Sequence, residues 1–277
     1  MLTKDAIQEL SQAQAITAAN EHTVNTDALV LPSNFAVHDL EKFSACRRRA
    51  RGTMKTSSID DFAAYVRDHR EDGASVFVNG LHATAVLNMG TPELPGHCDN
   101  RAVIEPTITA AYAALSKIAS GGAMNQATAA EFLEDWSECI QAFSEEDPMP
   151  VPKAVSALRR ITIEGVRKIE AAEQALSASK STFESVHASS GGDAVPTRLL
   201  FTCIPYVGFD TRVFIVRIGV QTGGDKPMLV FRIANIESAD EDMADEFCKK
   251  LDSAIDAAED DTDTAVPVLI GSYSAGL

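Results

Sequence analysis

His97, Cys98 and Asp99 follow Pro95-Gly96 and place a base, a nucleophile and a carboxylate in three consecutive positions. Cysteine catalysis needs the imidazole within hydrogen-bond reach of the thiol, whereas successive residues of an extended strand point to opposite faces. Adjacency therefore opposes a dyad, and the triplet reads as turn and strand-start residues. Ser272-Tyr273-Ser274-Ala275-Gly276 is the nearest approach to a nucleophile elbow, which needs a following helix to support its oxyanion hole. One residue, Leu277, remains after it, so no working elbow is expected. The histidines at 22, 38, 69, 82, 97 and 187 show neither H-E-x-x-H nor Cys/His ligand spacing, so no metal site is expected. Gly121-Gly122, Gly191-Gly192 and Gly223-Gly224 fit no phosphate-binding glycine pattern, and Glu259-Asp260-Asp261-Thr262-Asp263 lacks the spacing of a calcium loop. The expectation is a protein without catalytic residues, metal or cofactor, and not an enzyme.

Two sets of cations carry more information. Arg47, Arg48, Arg49, Arg51 and Lys55 fall within nine residues that hold no acid. On a strand, Arg47, Arg49, Arg51 and Lys55 would share one face and concentrate positive charge for a phosphate, a nucleotide, an acidic partner or a subunit contact. Arg212, Arg217 and Arg232 form the second set. Arg217 and Arg232 interrupt two apolar runs, Phe214 to Ile218 and Leu229 to Ile233, in matching fashion. Antiparallel pairing of those runs would make a half-apolar sheet face bearing arginines, with Arg212 as a third member, which suits a subunit interface.

The elements that must position these residues come from periodicity and punctuation. Residues 5–19 have helical spacing, Leu29 to Pro32 reads as extended, and Phe43 to Lys55 reads as a strand. Ser57 or Ser58 should cap a helix whose apolar stripe is Ile59, Phe62, Ala63 and Val66, with Asp60 and Asp61 at its positive end. Asn79-Gly80 between apolar runs predicts a β-hairpin, followed by a strand over 100–108. Helices are expected over 109–119 and 127–143, a break at Glu145 to Pro152, and a long helix over 153–178 with near-heptad spacing. Arg198 to Tyr206, Arg212 to Gln221 and Pro227 to Ala234 read as strands, 240–258 as a helix and Val266 to Tyr273 as a closing strand. No regular βαβ alternation appears, so the fold class is α+β with mixed, largely antiparallel sheets and amphipathic helices. Two subdomains, 1–147 and 181–277, are expected, joined by a helical connector over 148–180.

The 277 residues carry 24 basic and 40 acidic side chains, a formal charge of −16. That balance repels a phosphate backbone unless the cations are gathered on one face, so nucleic acid is a disfavoured partner. The longest apolar runs are far short of the roughly 20 residues that span a bilayer. No signal-peptide pattern opens the sequence, and five cysteines without a C-x-x-C pair fit a reducing compartment. A cytoplasmic protein without membrane contact is expected.

Several segments together resemble a known family. Leu29-Val30-Leu31-Pro32, Val37-His38-Asp39-Leu40-Glu41, Arg51-Gly52 leading into Thr56-Ser57-Ser58-Ile59-Asp60-Asp61-Phe62, and Pro95-Gly96-His97 are similar to YfdQ-like proteins of tailed phages and prophages. Thr109 to Tyr112, Glu131 to Trp136 and Phe201 to Tyr206 share that likeness, which spans most of the chain. The resemblance implies phage origin and a role inside an infected bacterium, and it carries over no catalytic residue. Cys98 departs from it, since a small residue such as Ala is expected after His97. The combined expectation is a non-enzymatic, homo-oligomeric accessory protein that engages a host or phage macromolecule in DNA metabolism or counter-defence. The alternatives are a direct nucleic-acid or nucleotide binder using Arg47 to Lys55, and an unrecognised hydrolase or metalloenzyme.

Overall fold

The computed structural model describes residues 3–21, 41–161, 194–221, 227–258 and 265–274. They belong to two compact units, Met1–Ala50 and Arg51–Leu277. In the first unit, α1 (Lys4–Glu21) confirms the helical spacing of 5–19, and a 3-10 turn follows at Glu41–Phe43. Ile7 and Leu10 of α1 are 54% and 57% exposed, so its apolar stripe is not a buried face. The extended reading at Leu29 to Pro32 lies outside the described residues.

The second unit opens with β1 (Gly52–Thr56), the only part of Phe43 to Lys55 that is a strand. Gly52 has φ of 133°, a conformation that glycine alone adopts at little cost, and the extended chain begins there. Next comes α2 (Ile59–His69), whose cap is Ser58, with its Oγ accepting from the Asp61 amide at 3.2 Å. Phe62, Ala63 and Val66 are its buried stripe, as its spacing predicts. β2 (Ser75–Asn79) and β3 (His82–Val86) pair antiparallel around the positive-φ Gly80, and β4 (Asn100–Ile104) pairs antiparallel with β3.

α3 (Ala110–Ser120) and α4 (Gln126–Asp135) follow, capped by the side chains of Thr109 and Asn125. The helix expected over 127–143 stops at Asp135. Trp136 leaves helical geometry, a 3-10 turn intervenes, and β5 (Ile140–Ser144) begins. The apolar positions from Ile140 onward alternate with period two, so Ile140 and Ala142 turn inward while Phe143 turns outward. The break at Glu145 to Pro152 is itself a tight turn at Glu145, with φ of 54°, followed by β6 (Asp147–Met149). α5 (Val151–Arg159) carries a proline in its first turn, where no amide donor is needed. Beyond residue 161 the long helix read over 153–178 lies outside the described residues.

β7 (Arg198–Cys203), β8 (Arg212–Gln221) and β9 (Met228–Ile233) form an antiparallel run, then α6 (Ile236–Ala258) and β10 (Val268–Ile270) complete the unit. Two five-stranded sheets result, ordered β1-β4-β3-β2-β10 and β6-β5-β7-β8-β9. The second is wholly antiparallel, and the first has parallel pairs at its two edges. The mixed, largely antiparallel α+β class is the observed one. β5 and β6 share a sheet with β7 to β9, and β10 joins β2, so both sheets draw strands from distant parts of the sequence.

Helices pack against the inner faces of the sheets: α2 on β4 and on α6, α3 and α4 on β9, and α5 on α4 and β5. Met243, Phe247, Leu251 and Ile255 form one fully buried stripe of α6. Each such side chain stabilises the fold by about 2 kcal/mol relative to exposure. Aromatic rings tie the layers, with Phe132 on Phe201 at 5.8 Å, Tyr112 on Phe214 at 5.0 Å and Phe209 on Phe247 at 6.2 Å. Among the described residues no helix is long and apolar enough to cross a membrane.

Candidate functional site

Strand alternation sets the polarity of the second sheet. Along β8, Phe214, Val216 and Ile218 are buried, while Val213, Ile215 and Arg217 are exposed. The register pairs Arg198 with Arg217 and Arg217 with Arg232, so three arginines form one row across β7, β8 and β9 on the outer face. Phe143 of β5 pairs with Arg198 and extends the row, and the Arg198 guanidinium lies over its ring at 4.9 Å. The Nε of Arg198 is buried without a hydrogen-bond partner among the described residues. Leu200, Ile215 and Val230 occupy neighbouring outward positions and are half-buried or exposed. The face is thus half apolar with an ordered line of cations.

Arg217 and Arg232 stand where the sequence places them, and Arg212 does not. Arg217 lies five positions after Arg212, an odd offset, so Arg212 turns to the opposite face. There its guanidinium meets Glu246 of α6 at 2.8 Å and the Asp242 carbonyl at 3.1 Å. Lys250 joins the same cluster, 3.1 Å from Asp210, and this hydrogen bond raises its pKa. Arg212 therefore ties β8 to α6 and leaves the sheet-face set, and Arg198 takes its place. Arg198 was legible as the first residue of a strand, but its alignment with Arg217 depends on a register that residue types alone do not state.

A cavity of about 630 Å³ opens at the β9 side of this sheet. Its walls include Tyr112 and Ser116 of α3, Arg217 and Arg232, and Glu237 and Asp240 from the start of α6. The cavity needs β9 to turn abruptly into α6, and Asn235 makes that turn with φ of 55°, a region asparagine tolerates better than most residues. Burial pushes the Tyr112 hydroxyl up to about 12, with Asp240 adding to the effect. Burial also raises Asp240, and Glu237 beside it acts in the same direction. Tyr112 is thus a protonated hydroxyl at neutral pH.

The Arg47 to Lys55 segment is not a strand face. Arg47, Arg48 and Arg49 belong to the first unit, in irregular chain after the 3-10 turn, and the Arg48 amide donates to Glu41 Oε1 at 3.2 Å. Arg51 and Lys55 belong to the second unit, and only Lys55 lies on β1. The alternation that would align them on one face is absent, because the extended chain starts at Gly52.

His97, Cys98 and Asp99 serve the β3–β4 loop. Cys98 has φ of 54°, and its buried thiol accepts from the Tyr273 hydroxyl at 3.1 Å. Asp99 accepts from Asn88 Nδ2 at 3.0 Å, Arg101 Nε donates to the Cys98 carbonyl at 2.8 Å, and His97 is exposed. A Cβ on Gly96 would stand 2.0 Å from the Asn88 carbonyl oxygen, so the loop closes only around glycine. Cys98 and Asp99 thus have partners within and beside this loop. Among the described residues no three His, Cys, Asp or Glu side chains converge as a metal-holding group.

Neither the curated proteins nor the solved structures contain a match to this chain. A family model does match, across residues 2–273 and hence across both sheets and the arginine row. The chain belongs to the family described as "Uncharacterized conserved protein (DUF2303)".

Proposed function

We propose that this is a non-enzymatic accessory protein of a phage or prophage that assembles with itself and engages a host or phage macromolecule. Its docking surface is the outer face of the second sheet. The carrying observation is the in-register row Arg198–Arg217–Arg232, set among outward Leu200, Ile215 and Val230 on a chain of net charge −16. Arginine on a half-apolar surface is favoured at interfaces because its guanidinium sheds water more readily than an ammonium and pairs bidentately with carboxylates.

The row also sets the kind of contact. A two-fold interface centred on this face would press arginine against arginine, which costs free energy. An acidic counterpart suits it, and the exposed side of α6, with Glu237, Asp240, Glu241 and Asp245, has that character. Head-to-tail assembly of copies, arginine row on acidic helix, follows from this complementarity. The resemblance to YfdQ-like phage proteins supports a place inside the infected bacterium.

Multi-angle light scattering over a concentration series tests the reading. Assembly of the wild-type chain should weaken as salt rises, and Arg217→Glu with Arg232→Glu should weaken it at least tenfold. A strictly monomeric wild-type protein at high concentration and low salt overturns it.

A further inference from the structure

Cys98 and Cys203 are almost equally buried, at 8% and 6% exposure, yet they are sealed in different ways. Cys203 lies on the inner face of β7, an interior strand of the second sheet, and burial pushes its thiol up to about 12. Cys98 lies in the β3–β4 loop, and one contact of its thiol, the Gly96 carbonyl at 3.7 Å, is within that loop. The other is the Tyr273 hydroxyl at 3.1 Å, delivered by the segment that follows β10. The loop side is fixed. The Cys98 amide donates to the Asn88 carbonyl at 3.2 Å, the Gly96 amide to the Met89 carbonyl at 2.6 Å, and Arg101 Nε to the Cys98 carbonyl at 2.8 Å.

The Tyr273 side is held lightly. β10 is three residues long and pairs only with β2, at the edge of the first sheet. Leu269 is 45% exposed and Ile270 is 90% exposed, so burial adds little to that pairing. Val266 is the last buried residue of the described chain, and Pro267 follows it. After β10 the chain bends at Gly271, with φ of 147°, and lays the Tyr273 ring on Phe77 at 5.1 Å. Without this segment β2 still pairs with β3, so four strands of the sheet remain joined. Edge elements with few apolar contacts are the ones that open locally. We propose that residues 267–274 form a releasable strap hinged after Val266. Closed, it covers the Cys98 thiol and satisfies the Val76 amide and the Val78 carbonyl, through Pro267 and Gly271 at 2.9 and 2.8 Å. Open, it bares that thiol and the β2 edge while both sheets stay folded. The device goes beyond the docking role of the second sheet and uses none of its arginines.

Alkylation of the full chain with N-ethylmaleimide, in urea below the unfolding transition and read thiol by thiol by peptide mass mapping, tests the strap against Cys203. Cys98 should react at least tenfold faster than Cys203, and low urea should barely change its rate, since a local opening exposes little surface. The Cys203 rate should climb with urea along the slope of global unfolding. Tyr273→Ala should speed Cys98 at least tenfold further. Gly271→Ala is a second way to loosen the strap, because its Cβ meets nothing within 4 Å while φ of 147° strains any side chain. Phe231→Ala, in the core under the second sheet, should speed Cys203 and leave Cys98 within about twofold of wild type, since that core is intact in the open form. Phe231→Leu takes its place if Phe231→Ala does not fold. Reaction of Cys98 and Cys203 at one rate with one urea dependence overturns the proposal, and so does equal acceleration of both by the Phe231 change. Cys98 reacting as fast as the exposed Cys46 overturns it too, since nothing then covers the thiol. A Cys98 rate that neither strap variant changes has the same consequence.

Discussion

The two groups of arginines are assembled in opposite ways. Arg47, Arg48, Arg49 and Arg51 are neighbours in sequence, yet the chain carries them over bends and across the boundary between two compact units. Arg198, Arg217 and Arg232 are far apart in sequence, yet three antiparallel strands bring them into one row. No strand ladder fixes the spacing of the contiguous run, which lies outside regular structure. A row on a sheet is held by the backbone ladder and by the core beneath it, so its geometry persists whether or not a partner is present. The row, unlike the contiguous run, has a backbone spacing set by strand register, and the proposed docking role rests on that difference.

If that distinction is right, the row should fail when its support fails. Phe231 lies on the inner face of β9, fully buried, one residue from Arg232. Phe231→Ala should cost about 3 to 5 kcal/mol in urea unfolding and weaken assembly with it. Full assembly by a destabilised variant would break the link between core and row.

Arg212 sharpens the comparison from within one strand. Its side chain is 23% exposed and that of Glu246 is 11% exposed, so truncation strands a largely buried carboxylate. Arg212→Ala should destabilise the unit by about 1 to 3 kcal/mol, and assembly measured below the unfolding transition should stay near wild type. A loss of assembly comparable to that of Arg217→Glu would place Arg212 in the docking set after all.

A smaller effect concerns the acidic end of the cavity. Burial and Glu237 hold Asp240 above its ordinary value, so ionisation is harder in the folded state. The favourable contribution of its protonated form is complete below the ordinary carboxylate value. It is lost as pH rises through the raised one. Asp240→Asn should therefore flatten this part of the stability profile and leave the mutant relatively more stable at neutral pH. Parallel profiles for wild type and mutant in chemical denaturation across the acid range would contradict that reading.

The elements legible in the sequence are those whose signals are local. α2 carries its own cap, stripe and dipole complement, the β2–β3 hairpin carries Asn79-Gly80, and α6 carries four apolar residues at helical spacing. β5 was illegible because Ile140 and Phe143 continue the apolar spacing of α4, and only the departure of Trp136 from helical geometry ends the helix. The pairing of β10 with β2 bridges nearly two hundred residues, and no residue type announces it. The candidate site divides along the same line. Arg217 and Arg232 were readable from matching strand patterns, whereas Arg198, the opposite facing of Arg212 and the cavity against Tyr112 and Asp240 depend on register and packing.

Sedimentation velocity of two charge-reversed proteins side by side tests the central claim most directly. Arg47→Glu with Arg48→Glu alters the contiguous run at exposed positions, and Arg217→Glu with Arg232→Glu alters the row by the same charge. The account predicts near wild-type assembly for the first and a shift to smaller species, by at least a tenfold weaker association, for the second. Loss of assembly in the first with retention in the second would contradict it.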